Sequence, residues 1–66
     1  MNDDLTGGFL YKKFISDACR LLEKGDTVYC YYHYQVKELQ KRYKNNLIVR
    51  YFENYQWWTC KLKKAS

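Results

Sequence analysis

No apolar run in this chain approaches the ~18–20 residues that cross a bilayer. No charged N-terminal start leads into an apolar segment, so a signal peptide is not expected. Together these lead to the expectation of a soluble, cytoplasmic protein. The three cysteines, Cys19, Cys30 and Cys60, are odd in number and show no Cys-x-x-Cys spacing. A secreted disulfide scaffold carries an even, denser set, so reduced and mostly buried thiols are expected.

Catalytic signatures are equally sparse. His33 is the single histidine, and there is no Gly-rich phosphate loop and no Gly-x-Ser-x-Gly. A cysteine nucleophile with His33 as base can be written down, but nothing orients the imidazole. Five of the seven acids precede residue 27, and the remaining two, Glu38 and Glu53, fall at expected surface positions. An enzyme is therefore not expected, and no cofactor is implied. A Cys₃His metal set from Cys19, Cys30, His33 and Cys60 has the right ligand types. The Cys30-x-x-His33 separation is odd, however, which on a strand points the two side chains to opposite faces. No metal is expected either.

What is present is aromatic and basic. At 66 residues the chain is one domain (1–66) with a thin core. Its 20% aromatic content offers large buried areas in place of disulfides, metal or a second subunit. The net charge of +5 is lopsided: residues 1–26 sum to −1, and residues 27–66 to +6. That basic part also holds ten of the thirteen aromatics. Lys and Arg neutralise phosphates and ring faces stack on bases, so this co-location is compatible with nucleic acid. An acidic protein surface is an equally compatible partner.

Along the chain, residues 1–8 read as a loose arm, with Asp4 or Thr6 available to cap the helix that follows. Phe9 to Lys24 reads as a helix with Leu10, Phe14, Ala18, Leu21 and Leu22 on one stripe. Tyr11, Ile15 and Cys19 widen that stripe, either as part of a well-buried helix or as a partner contact. Gly25 is the expected left-handed terminator. Thr27 to Tyr32 (TVYCYY) reads as a strand with Val28, Cys30 and Tyr32 on one side, Tyr29 and Tyr31 on the other. His33 to Lys44 reads as a second helix with a narrow Val36, Leu39, Tyr43 stripe, ended by Asn45-Asn46.

Leu47 to Phe52 and Tyr55 to Lys63 read as a hairpin, followed by a basic tail at 64–66. A two-residue Glu53-Asn54 loop pairs Phe52 with Tyr55, Arg50 with Trp57 and Ile48 with Thr59 on one face. The other face then pairs Tyr51 with Gln56, Val49 with Trp58 and Leu47 with Cys60, followed by Leu62. The second set is more apolar and should face the helices. A three-residue loop would instead exchange the two tryptophans between faces, and Glu-Asn is not a strong hairpin turn.

The expected fold is a two-layer α/β (α+β) domain, α-β-α-β-β, with two helices on one face of a three-stranded mixed sheet. The first two strands are expected to run parallel through a right-handed crossover, with either the second or the third strand central. The open face carries Arg50, Phe52, Tyr55, Trp57, Lys61 and Lys63, with Tyr29 and Tyr31 nearby. Lys37 and Lys41 add a basic helix face, which more often is simply solvated. There is no RNP-like string and no helix-turn-helix pair. The expected function is a small binding protein that takes nucleic acid on this hairpin face. The alternative is a protein interaction module: a small inhibitor or regulator of phage or mobile-element type, or a homodimer.

Overall fold

The computed structural model describes residues 7–63, with side chains from residue 10 onward. The caps expected at Asp4 and Thr6, the first six residues of the arm and the basic tail lie outside these residues. In chain order come α1 (Gly7–Glu23), β1 (Val28–Cys30), α2 (His33–Tyr43), a 3₁₀ turn (Lys44–Asn46), β2 (Leu47–Phe52) and β3 (Trp57–Leu62). The order is α-β-α-β-β, as periodicity alone indicates.

α1 takes in Gly7 and Gly8, which were expected in the arm. It ends where expected. Gly25 sits at φ 93°, its amide donates to Leu22 O at 2.9 Å, and the Asp26 amide donates to Leu21 O at 3.0 Å. This paired closure satisfies two of the helix's terminal carbonyls. The buried arc is rotated relative to the expected stripe. Ile15, Ala18 and Leu22 are buried, with Tyr11, Phe14 and Cys19 packed against them, while Leu10 is 60% and Leu21 39% exposed. Residues 11, 15, 18 and 22 recur with the same helical period as the expected set, so period alone leaves the choice between adjacent arcs open. Contact with α2 as well as with the sheet selects this arc. Tyr11, Ile15 and Cys19 are thus core-side residues.

β1 is shorter than Thr27–Tyr32. The buried Gln35 side chain reaches back from the first turn of α2, and its Oε1 accepts the amides of Tyr31 at 3.1 Å and Tyr32 at 3.2 Å. Those amides serve the helix entry and not a strand ladder. Tyr32, expected inward beside Cys30, is instead an exposed N-cap residue whose ring stacks on Tyr34 with centroids 5.4 Å apart. The expected turn residues Asn45 and Asn46 occupy the 3₁₀ turn, and the positive φ of 51° falls on Lys44, whose amide donates to Gln40 O.

The sheet order is β1-β3-β2, and both neighbouring pairs are antiparallel. β1 and β2 therefore run in the same direction, as a β-α-β connection implies, but β3 lies between them and the sheet is not mixed. The hairpin register also differs from expectation. Phe52 pairs with Trp57 across a four-residue loop, Arg50 with Thr59, and Val49 with Cys60. Phe52 O accepts the amides of Tyr55 at 3.1 Å and Gln56 at 2.7 Å, and Gln56 at φ 58° turns the chain back. A loop lengthened by two leaves side-chain parity unchanged. Leu47, Val49, Tyr51, Trp58, Cys60 and Leu62 face the helices, and Ile48, Arg50, Phe52, Trp57, Thr59 and Lys61 face away.

The core lies between the layers. Ile15, Ala18 and Leu22 of α1 and Val36 and Leu39 of α2 meet Val28, Cys30, Leu47, Cys60 and Leu62 of the sheet. Leu22 and Leu39 are fully buried, worth ~1.5–3 kcal/mol each in apolar transfer. Tyr43 donates its hydroxyl to Glu23 at 2.9 Å and ties the ends of the two helices together.

Candidate partner-binding sheet face

Both helices lie on the side of Trp58, so the outer sheet face has no second layer among the described residues. Its rows follow from the register. Tyr29, Thr59 and Arg50 lie across one row, and Trp57 and Phe52 across the next, with Tyr31 just past the end of β1. Lys61 and Ile48 form a third row, beside Thr27 just before β1. Thr59 is small and sits between two large side chains, so the centre of the face is sunken.

Two open grooves adjoin across Phe52 and Thr59. One, of about 200 Å³, is aromatic and lined by Tyr29, Phe52, Tyr55, Trp57 and Thr59. The other, of about 270 Å³, is mixed and cationic, lined by Thr27, Ile48, Arg50, Phe52, Thr59 and Lys61. Each is smaller than the enclosed ~300–1,000 Å³ typical of small-molecule sites, and both are shallow. Their shape fits an extended or flat partner better than an enveloped metabolite.

Trp57 is the hub of the aromatic end. Tyr55 stacks on it at 5.2 Å and 24°, and Tyr29 and Tyr31 meet it edge-on at 5.7 and 5.6 Å. The expectation that Trp57 faces outward and Trp58 inward holds. The three tyrosines nevertheless leave Trp57 only part-exposed, while Tyr55 is 66% exposed. The ring face most available to a partner is therefore that of Tyr55, which lies in the hairpin loop and not in a strand. Trp58 packs on the core and meets Tyr51 at 4.8 Å and His33 at 5.7 Å.

The residues singled out from the sequence fall into two groups. Arg50, Phe52, Tyr55, Trp57 and Lys61 converge on the two grooves. Lys63 is exposed just past the end of β3, with the side-chain parity of Lys61. Arg50, Lys61 and Lys63 enter none of the ion pairs among the described residues, so their charge is available. Lys37 and Lys41 belong to α2, in the layer behind the sheet. Lys41 lies 3.7 Å from Glu38, which also holds Arg42 at 3.4 Å. The helix lysines therefore do not extend the groove. Thr59 and Ile48, which form its floor and wall, carry no chemical signal in the sequence. Only the hairpin register places them there.

The cysteines and the histidine do not assemble. Cys30 and Cys60 are fully buried with their sulfurs 4.0 Å apart, Cys19 lies on α1, and His33 is exposed against Trp58. Contact with the Cys60 thiol and burial both push the Cys30 thiol up, which keeps it protonated. Among the described residues no three His, Cys, Asp or Glu side chains come together to hold a metal ion.

Other ionisable groups mark packing between and along the helices. Desolvation, with Cys19 and Glu23 adjacent, raises the Tyr43 hydroxyl above the usual phenol range. Desolvation and the nearby Glu38 carboxylate do the same to Tyr11. Lys13, bonded to it at 3.3 Å, and Arg20 at 2.6 Å hold the exposed Asp17 carboxyl below its ordinary value. Among the described residues no helix is long and apolar enough to cross a membrane. Compared with known protein families, curated proteins and solved structures, the chain matches none of them.

Proposed function

We propose that the protein binds nucleic acid, in single-stranded form, across the outer face of its sheet. The observation that carries this reading is the adjacency of exposed rings and cations that enter no ion pair among the described residues: Tyr55, Tyr29 and Phe52 at one end, Arg50 and Lys61 at the other, on a continuous open surface. Bases stack on ring faces for ~1–3 kcal/mol each, and cations follow the backbone. A flat sheet suits splayed bases better than a duplex, whose bases are already stacked. Three cysteines without disulfides are compatible with a reducing, cytoplasmic setting.

The test is fluorescence anisotropy with a labelled oligonucleotide of about ten residues, a typical site length. Affinity should fall steeply with salt. Tyr55→Ala should weaken binding ~5- to 150-fold, the range a lost stacking partner spans. Lys61→Ala should lower the salt slope by about one contact and leave base preference unchanged. No binding at low salt to either DNA or RNA overturns the proposal. The second reading, an acidic protein surface docking on the same face, draws on Ile48 and Phe52, which stand 42% and 38% exposed within the groove.

A further inference from the structure

We infer that the free edge of β2 pairs with β2 of a second copy of this chain, antiparallel and centred on Val49. Among the described residues, in the order β1-β3-β2, only β3 flanks this strand within the sheet. The edge runs six residues, LIVRYF, with no proline and a single charge at Arg50. Edges that avoid self-association are usually short, or carry proline, bulges or several charges. β1, at the opposite edge, is only three residues long and fits that description.

Backbone direction selects which groups face outward. The Lys63 amide donates to Asn46 O at 2.8 Å, so Asn46 and the even-numbered residues of β2 turn their polar groups toward β3. Leu47, Val49 and Tyr51 turn theirs to the free edge. A pairing that keeps helix-side residues opposite helix-side residues must match odd with odd. Two such registers overlap equally near the strand's middle, one centred on Val49 and one on Arg50.

Charge separates them. Centring on Arg50 sets two guanidinium groups face to face, which is unfavourable. Centring on Val49 sets Arg50 opposite Ile48 of the second copy, twice by symmetry, with Leu47 opposite Tyr51 on the helix side. Ile48 and Tyr51 are 42% and 51% exposed in the single chain, and this register covers them. The result is a closed two-fold, six-stranded sheet whose two cationic grooves lie side by side, each flanked by Arg50 of the other copy. The inference stands on the edge and not on which ligand the outer face takes.

The test is sedimentation equilibrium of the full chain from about 10 μM to about 1 mM, the range of weak self-association. Ile48 is exposed, so charge there leaves the fold intact, as circular dichroism will check. A reversible wild-type dimer is expected. Ile48→Glu should tighten it about three- to tenfold by creating two Glu–Arg pairs, and Ile48→Lys should loosen it by a similar factor. Added salt should erase the difference between the two variants. The inference is overturned if wild type and Ile48→Glu are both monomeric at the highest concentration. A dimer indifferent to the sign of the charge at position 48 overturns it equally, since association would then run through another surface.

Discussion

Gln35→Met should destabilise the fold far more than an exchange of similar-sized side chains normally does. Gln35 is 9% exposed, and its single carbonyl oxygen accepts two backbone amides, those of Tyr31 and Tyr32. Removing the acceptor leaves both donors without a partner at a part-buried helix entry. Each such loss costs ~1–3 kcal/mol, and partial access to water brings the sum to about 2 kcal/mol. A domain of this size holds only ~3–10 kcal/mol in total. Thermal denaturation should therefore show a fall of about 8–16 °C, at ~4–8 °C per kcal/mol. Gln35→Glu is the control. It keeps the acceptor, and the helix dipole favours its added charge while burial opposes it, so its melting temperature should fall far less than that of the Met variant. The same loss frees Tyr31, whose ring borders Trp57 at 5.6 Å, so tryptophan emission should shift to longer wavelength in the Met variant alone. Equal melting temperatures for the Met and Glu variants would refute this account of the helix entry.

Two further outcomes follow from local geometry. Gln56→Gly should raise stability by about 0.5–1 kcal/mol, read by urea denaturation, because a left-handed φ of 58° is strained for glutamine and free for glycine. A loss of stability would show that the Gln56 side chain matters more than its backbone. For Tyr43, the folded-state pKa lies above the ordinary phenol value of ~10, so its contribution is intact below that pH and is lost as pH rises toward the folded value. Stability should therefore decline above about pH 10, and Tyr43→Phe should flatten that decline while losing the bond to Glu23.

The site owes its form to how a thin sheet divides its aromatics. Trp58 lends its bulk to a core of small and medium residues. Trp57, one residue on, faces away and gathers Tyr29, Tyr31 and Tyr55 around it. This cluster lies on a face that no helix covers among the described residues. Trp57 is thus more a support for the candidate surface than its outermost element. Substituting it should loosen several rings at once, whereas Tyr55 can be removed alone.

The amino-acid sequence by itself determined the number, type and order of the elements, because hydrophobic period and the Gly25 terminator are local properties. The more apolar of its two hairpin pairings also pointed to the side that faces the helices, although a three-residue loop would have exchanged Trp57 and Trp58 between faces. Parity survived the loop's growth from two residues to four, so Arg50, Phe52, Trp57 and Lys61 emerge on the outer face in either register. Tertiary structure decided what depends on partners distant in sequence. β3 lies at the sheet's centre because it pairs with β1 and β2 at once, which removes the parallel contact a β-α-β unit would otherwise make. α1 turned Ile15 inward and Leu10 outward because α2 and the sheet both bear on it, and period alone leaves neighbouring arcs equivalent. Gln35 left no mark in the hydrophobic pattern, since its role depends on where the chain from β1 enters α2. The groove floor at Thr59 likewise exists only because Tyr29 and Arg50 stand on either side of it, from strands that meet β3 on opposite edges.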